Sequence, residues 1–492
     1  MTCREVIERT IYWLERYESG TLDDEFAPPE IEVYFPQARR LSKPVLIIAE
    51  NLIEADGRSD GPAFILPTAS GGAGFFSMLP VESETERLVE RISNLSTVIF
   101  PLDRTDHGKL VFGRWFRLME EPSLPVPQSS ADLMDLMVRS GRPASTVENL
   151  VRSKPRFVAV CYQTDREHTH WLIFETKFDY GNRDGFRPKA FLYKLREVNR
   201  RNQIRLYPTN QVSRETIFKR VSGFSASDLD RRTCLILGCG ALGSRVAETI
   251  VKAGIGGLIL VDNDILKAGN ISRHVLGLDY LGWNKAAAMK DYLLRRNPFA
   301  RVEVEDAAFS IVNDASKFEK LLLRSDLVIC CLGNNSTEAF VSIGAVSAGR
   351  QAVFGRTHLQ GRLGEILCCG TSKAPVCFHC AAEYIQSAEC EIPRPPEIPY
   401  RELVKFDGDC GAAFIPASAV DLDLVALHIA RTALSKLQGE ESEHNYWLVR
   451  GREFVQGEYP SLDDSLRQAH QVRSWQIHRN IGCPVCGGEA AQ

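Results

Sequence analysis

Short apolar runs alternate with stretches of helical spacing along most of this chain, the pattern of a mixed α/β protein. Between Pro44 and about Tyr207 the runs PVLIIAE, PAFILP, STVIFP, RFVAVCYQ and HWLIFETK predict strands, and helices are expected near Glu84 to Ser93 and Ala131 to Ser140. These elements define an accessory α/β domain over residues 41–214. Ahead of it, Ile7, Ile11, Trp13 and Leu14 keep helical spacing up to Tyr17, after which Pro28, Pro29 and Pro36 exclude helix. Residues 1–40 therefore read as a leading helix and an extended docking arm. Gln211 to Arg232 is polar and only partly helical, which sets the main boundary near residue 215.

Beyond that boundary the pattern sharpens. Thr233 to Leu237 is an apolar strand, Gly238, Gly240 and Gly243 form G-x-G-x-x-G, and Ala241 to Lys252 has the period of a helix. Glycines suit such a turn because the backbone must fold tightly and approach a phosphate that the helix N-terminus attracts. A second strand, Leu258 to Val261, ends at Asp262, about 20 residues beyond the glycines, where a carboxylate can accept from a ribose. By itself this much fits a dinucleotide as well as any other nucleotide, so a nicotinamide oxidoreductase stays open as a reading.

Composition changes the picture little. A net charge of -4 gives no general attraction to nucleic acid or an anionic membrane. Met1 to Tyr17 has no signal-peptide core and no apolar run approaches the ~18 residues of a membrane span, so a cytoplasmic location is expected. The fourteen cysteines are many for a reduced compartment unless some bind metal or react. The Gly-rich stretch Ser70 to Phe76 lacks a strand-to-helix setting and reads as a loop. His168 and His170 would share one side of a strand, with no third ligand near, and read as structural or surface residues.

The chemistry lies downstream of the glycines. Asp264, Asn270, Arg273, His274 and Lys285 load the loop after the second strand with polar and cationic groups, which a dinucleotide does not need. A triphosphate attacked at its α-phosphorus gains negative charge in the transition state, and fixed Arg and Lys donors stabilise it. Arg273 and Lys285 are therefore the expected catalytic cations. Two C-x-x-C knuckles, Cys377/Cys380 and Cys483/Cys486, offer four thiolates for a tetrahedral, structural zinc that ties the C-terminal tail to the domain. Gly487 and Gly488 then read as a turn after the second knuckle. Cys410 sits in a small-residue loop ahead of an apolar helix expected from about Pro416, a setting that lowers a thiol pKa and admits a bulky acyl donor. Cys390, in a proline-rich segment, is its rival as nucleophile. The pairs Cys330/Cys331 and Cys368/Cys369 fall in predicted strands and read as core.

In order, GCGALG, Asp262-Asn263-Asp264, Asn270-Ile271-Ser272-Arg273 and Gly282-Trp283-Asn284-Lys285 resemble the activating enzymes of ubiquitin-like proteins and their bacterial ThiF/MoeB relatives. The wording NISRHVLGLDYLGWNKAAAM looks most like the activating enzymes of bacterial antiphage conjugation operons. The resemblance implies a Rossmann-like adenylation domain over 215–492 that uses ATP and Mg, carries structural Zn, and adenylates the C-terminal glycine of a ubiquitin-like protein. It gives Gly238, Gly240, Gly243, Asp262, Asp264 and Asn270 the cofactor, and Cys410 a thioester passed to a separate conjugating enzyme, since the chain contains no conjugating core. It further implies a homodimer in which Arg220 is lent to the partner's ATP. One position departs: the family's magnesium-holding Asp falls on Gly333, which leaves Asn334, Asn335, Glu338 or Asp264 to hold the cation. The same departure motivates an alternative, a catalytically inactive homologue acting as an assembly subunit.

Overall fold

A computed structural model describes residues 45–47, 60–65, 75–76, 111–118, 127–163, 169–181, 188–207, 209–211, 217–218, 220, 226–297, 299–305, 312–370, 376–393, 404–406, 413–440, 442–454, 463, 466 and 468–487. The expected helix 7–17, arm to residue 40, helix 84–93, strand 96–101, His168 and Cys410 lie outside these residues. The chain forms two compact units that divide between residues 216 and 217.

The first unit is built on a five-stranded sheet ordered Asp60–Ile65, Val111–Arg117, Phe157–Gln163, Thr169–Glu175 and Arg205–Tyr207. Only the second and third of these run parallel to each other. Phe116, Val158, Val160 and Phe174 alternate onto one face and pack against Leu133, Met137, Val151, Phe191 and Leu195 of three helices. Those helices are Ser130–Arg139, Ala144–Ser153 and Pro188–Asn199. The first starts at a reciprocal cap: Ser129 Oγ accepts from Asp132 N, and Asp132 accepts from Ser129 N at 2.8 Å. Phe75–Phe76, at the end of the stretch expected as a loop, forms a parallel strand beside Val45–Ile47, which also pairs with Thr209–Gln211.

The second unit is a doubly wound α/β layer structure. Its eight-stranded sheet runs Arg301–Val304, Gly257–Val261, Thr233–Leu237, Leu327–Cys330, Gln351–His358, Leu363–Cys369, Tyr446–Arg450 and Val472–Trp475. The first five are parallel and the last three join antiparallel. The central strands read as unbroken apolar runs because both faces are covered. One face packs on the helices Gly243–Lys252, Lys285–Leu294 and Ala419–Leu437, the other on Ala315–Leu323, Asn335–Ser347 and Phe378–Gln386. Cys330, Cys368 and Cys369 are buried in this core. Strand order reverses between Thr233–Leu237 and Leu327–Cys330, and ligands of such sheets bind at the carboxyl ends there.

Two helix starts differ from expectation. The first helix begins at Gly243 rather than Ala241, because residues 240–242 form the turn. The last long helix begins at Ala419 after Ser418, three residues beyond the expected Pro416.

Candidate active site

At the switch point each glycine has its own reason. Gly238 has a left-handed backbone, φ +88°, and a Cβ there would stand 2.9 Å from the Cys331 carbonyl oxygen, so the turn lies directly against the end of the neighbouring strand. A Cβ at Gly243 would come within 1.8 Å of the Gly238 carbonyl oxygen. Gly240 differs: a Cβ there would meet nothing within 4 Å, so this glycine faces open space. Two glycines make the turn and the third leaves room beside it.

Asp262 closes the turn from the next strand. Its Oδ2 accepts from Cys239 N at 2.7 Å and its Oδ1 from Asp264 N at 2.8 Å. A carboxylate offers about four acceptor positions, so capacity for further donors remains. The loops carrying Asp264 and Lys285 are zipped together. Lys285 N donates to Asp264 O at 2.9 Å, and the Asn284 amide donates to Asp262 O at 2.8 Å. The same Asn284 caps the helix that starts at Lys285, accepting from Ala287 N at 3.0 Å. Lys285 is 7% exposed and its ammonium pairs with the Asp264 carboxylate. Burial raises the Asp264 pKa, but the Lys285 ammonium and the Ile265 N–H outweigh it and hold this carboxyl below its usual range.

Asn270 and Arg273 share the short 3-10 helix Ala268–Arg273. Asn270 Oδ1 accepts from Lys267 N at 3.1 Å, and the Arg273 guanidinium donates to Ile415 O at 3.1 Å. Asp262, Asp264 and Lys285 are thus linked to one another after the strand Gly257–Val261, whereas the Asn270 side chain bonds within its own turn and the Arg273 guanidinium reaches Ile415. Arg220 is exposed.

Two residues hold this set from behind: His274, already among the polar groups expected in this loop, and Arg245, which no motif marks. His274 is buried; its Nε2 bonds Cys239 O at 2.7 Å, and its Nδ1 accepts from Leu276 N at 3.1 Å. Since Nδ1 is an acceptor, the ring is neutral with its proton on Nε2. Burial, with Lys285 and Arg245 nearby, pushes its pKa down from 6.5 to about 4 despite the bond to Cys239. Arg245, on the first turn of the helix Gly243–Lys252, donates to Ala241 O at 2.8 Å and to Arg273 O, and pairs with Asp423. The signal in the sequence for His274 is its place directly after Arg273; Arg245 carries none.

The His274 geometry sets a pH dependence. Its folded pKa lies below its ordinary value, so the stabilisation is complete above pH 6.5 and is lost as the pH falls toward about 4. The full effect is about 3 kcal/mol. Thermal midpoints measured from pH 7 to pH 4 are expected to fall more steeply in the wild type than in His274→Gln; parallel curves would contradict this.

Of the residues offered as substitutes for the magnesium ligand, three are otherwise engaged. Glu338 is fully buried, accepts from Gly333 N at 2.8 Å and pairs with Arg356. Asn335 Oδ1 accepts from Arg356 at 2.9 Å, and Asn334 Oδ1 caps its helix by accepting from Thr337 N at 3.0 Å. Asp264, with a side chain 56% exposed, is the carboxylate of that group open to solvent. The Glu338–Arg356 pair has no mark in the sequence, because its partners meet only through strand and helix packing.

The four knuckle cysteines converge. Cys377 Sγ lies 3.7 Å from Cys380 Sγ and 3.5 Å from Cys483 Sγ, and Cys380 Sγ lies 3.4 Å from Cys486 Sγ, with all four buried. A tetrahedral zinc with bonds of about 2.3 Å separates its sulfurs by about 3.8 Å, so the group fits zinc. Backbone N–H groups of Cys380, Val485 and Asn480 point at three of these sulfurs at 3.4 to 3.5 Å, as suits thiolates. Cys390 is half-buried, its Sγ 3.6 Å from Ile392 O. Cys410 belongs to the 407–412 segment between the paired strands Lys405–Phe406 and Ala413–Phe414.

A sequence model of the ThiF family matches residues 212–458, half of the chain. The chain belongs to the ThiF family. Among curated relatives, it is 24% identical over 357 residues to protein y4oA of Sinorhizobium fredii, covering 70% of this chain and 58% of that one. That match is longer than everything from residue 212 to the C-terminus, so the likeness extends into the first unit. The chain is 33% identical over 177 residues to the ATP-dependent ubiquitin transferase-like protein Cap2 of Enterobacter hormaechei, covering 34% of this chain and 28% of that protein. It is 26% identical over 282 residues to the sulfur carrier protein adenylyltransferase of Thermus thermophilus, covering 57% of this chain and 91% of that enzyme. The chain thus spans 58% and 28% of the first two relatives. Escherichia coli MccB, solved with AMPCPP and MccA, superposes with a TM-score of 0.40 at 21% identity, over 54% of this chain and 68% of MccB. No helix among the described residues is long and apolar enough to cross a membrane.

Proposed function

We propose that this ThiF-family chain activates a ubiquitin-like protein: it adenylates the C-terminal glycine at the expense of ATP, takes the acyl group on Cys410, and passes it to a separate conjugating enzyme. What carries the reading is the joining of Asp262, Asp264 and Lys285 beside the glycine turn at the carboxyl edge of the sheet, with the Arg273 main chain tied to that turn through Arg245. A phosphate on that turn meets backbone N–H donors, and Asp262 accepts from the ribose. The substrate carboxylate is already anionic and needs no base. One of its oxygens attacks the α-phosphorus, the bond to the bridging oxygen breaks, and pyrophosphate leaves. Lys285 exchanges Asp264 for the developing charge, and Arg273 adds a second cation. Magnesium supplies charge neutralisation to the triphosphate when bound, and Asp264 with the phosphates would hold it. In the second step the Cys410 sulfur, having lost its proton to solvent, forms a bond to the acyl carbon and AMP departs.

The ubiquitin-like substrate, the antiphage setting and a homodimer that lends Arg220 across its interface complete the proposal. The names of Cap2 and of the Thermus enzyme support the substrate class. The test is pyrophosphate exchange and a thiol-sensitive adduct with a candidate ubiquitin-like protein ending in glycine. Cys410→Ala is expected to abolish the adduct and leave exchange intact, while Cys390→Ala leaves both. The reverse pattern would move the nucleophile to Cys390, and absence of exchange would refute adenylation.

A further inference from the structure

The N–H groups that would meet a phosphate belong to peptide planes whose other ends are held. A peptide is planar and its C=O and following N–H point in opposite directions. His274 holds the carbonyl of Cys239, so the N–H of Gly240 points the other way; Arg245 holds the carbonyl of Ala241, so the N–H of Leu242 does likewise. Neither N–H meets an acceptor among the described residues, and Gly240 borders open space. The N–H of Cys239 is already taken by Asp262. The side chains doing the holding stand at the rear of the turn, in a cleft of about 460 Å3 that they line with Glu248, Tyr292, Asp423 and Leu427. The side chain of Arg245 is only 10% exposed and makes a further bond to the carbonyl of Arg273.

We propose that His274 and Arg245 are positioning residues for the nucleotide: from behind the turn they aim the N–H groups of Gly240 and Leu242 at a phosphate, and through Arg245 they keep Arg273 in register with them. The proposal rests on the adenylation reading. A buried hydrogen bond with both ends fixed fits it better than a bond needed only for folding, because each bond ends on a carbonyl of the turn itself. Glutamine at position 274 could reproduce both bonds, one amide N–H toward Cys239 and one amide oxygen toward Leu276. Lysine at position 245 keeps the charge but cannot serve two carbonyls and a carboxylate in one plane.

The experiment measures the affinity of full-length protein for the non-cleavable α,β-methylene analogue of ATP, with thermal midpoint and zinc content as structural controls. His274→Ala is expected to weaken binding at least tenfold, His274→Gln to restore it to within about threefold of wild type, and Arg245→Lys to weaken it about tenfold. In pyrophosphate exchange both weakened variants should also lose kcat, since Arg273 shifts with the turn. A folded His274→Ala that binds the analogue as well as wild type overturns the inference, as does a His274→Gln no better than alanine. A wild-type chain that binds no analogue overturns the adenylation reading and this inference together.

Discussion

Lys285→Ala is expected to slow adenylate formation by a factor of about 100 to 1,000, the loss seen when one fixed donor to a developing anion is removed. Little of that loss should come from unfolding. The Lys285 main chain stays zipped to Asp264 O, Asn284 still caps the helix, and Asp264 is left half-solvated rather than buried without a partner. Thermal midpoint should therefore shift by a few degrees at most while exchange collapses. Lys285→Arg is a sharper control: it keeps the charge, yet the guanidinium is too broad for a position 7% exposed and should recover only part of the rate. The measurement is pyrophosphate exchange at saturating ATP and ubiquitin-like partner. Exchange within tenfold of wild type in Lys285→Ala would remove this residue from the chemistry.

The pairing of Lys285 with Asp264 is legible in sequence because its signal is local: a strand, a glycine turn, a second strand ending in Asp262, and then cations at short intervals. The same holds for the knuckles, where two short motifs mark the four cysteines that converge although Cys377 and Cys483 stand 106 positions apart. What escapes depends on tertiary contact. Arg245 looks like a solvated helical arginine until Arg273 and Asp423 close on it. Glu338 reads as a ligand for a cation outside the protein, whereas Arg356, 18 positions on, supplies the cation from inside. In the first unit the strand Val111–Arg117 goes unpredicted because Arg114 and Arg117 interrupt its apolar run. The helix Pro188–Asn199 also goes unpredicted, although it carries a proline at its start and Phe191 and Leu195 four apart, both fully buried. The helix start at Gly243 is expected too early because Ala241 and Leu242 are good helix formers, whereas Ala241 lends its carbonyl to Arg245 within the turn.

Removal of the zinc that the four knuckle cysteines are expected to hold should produce the largest structural effect. Among the described residues the last strand, Val472–Trp475, pairs along one edge only, with Tyr446–Arg450, and is largely half-buried, so its own contacts hold it weakly. The knuckle Cys483/Cys486 is what fastens the segment beyond it to the helix Phe378–Gln386. Zinc sites contribute on the order of 10 kcal/mol in small domains that fold only with metal. Here an eight-stranded core remains when the metal leaves, so the loss should concentrate in the C-terminal segment and in the helix that bears the first knuckle. Without a cation four sulfurs packed at 3.4 to 3.7 Å cannot all stay charged: burial pushes the Cys377 and Cys486 thiols up, while N–H donors favour the thiolate at Cys483, so the N–H group aimed at Cys377 loses a charged acceptor. Cys483→Ser, or treatment of the wild type with a strong chelator, is therefore expected to release one zinc per chain and lower the thermal midpoint by about 10 °C or more. It should also open Arg473 and Arg479 to trypsin, with the cleavage sites read by mass spectrometry. A chain that carries no zinc as isolated, or one that keeps its midpoint and protease resistance after Cys483→Ser, would show that packing alone holds the C-terminal segment.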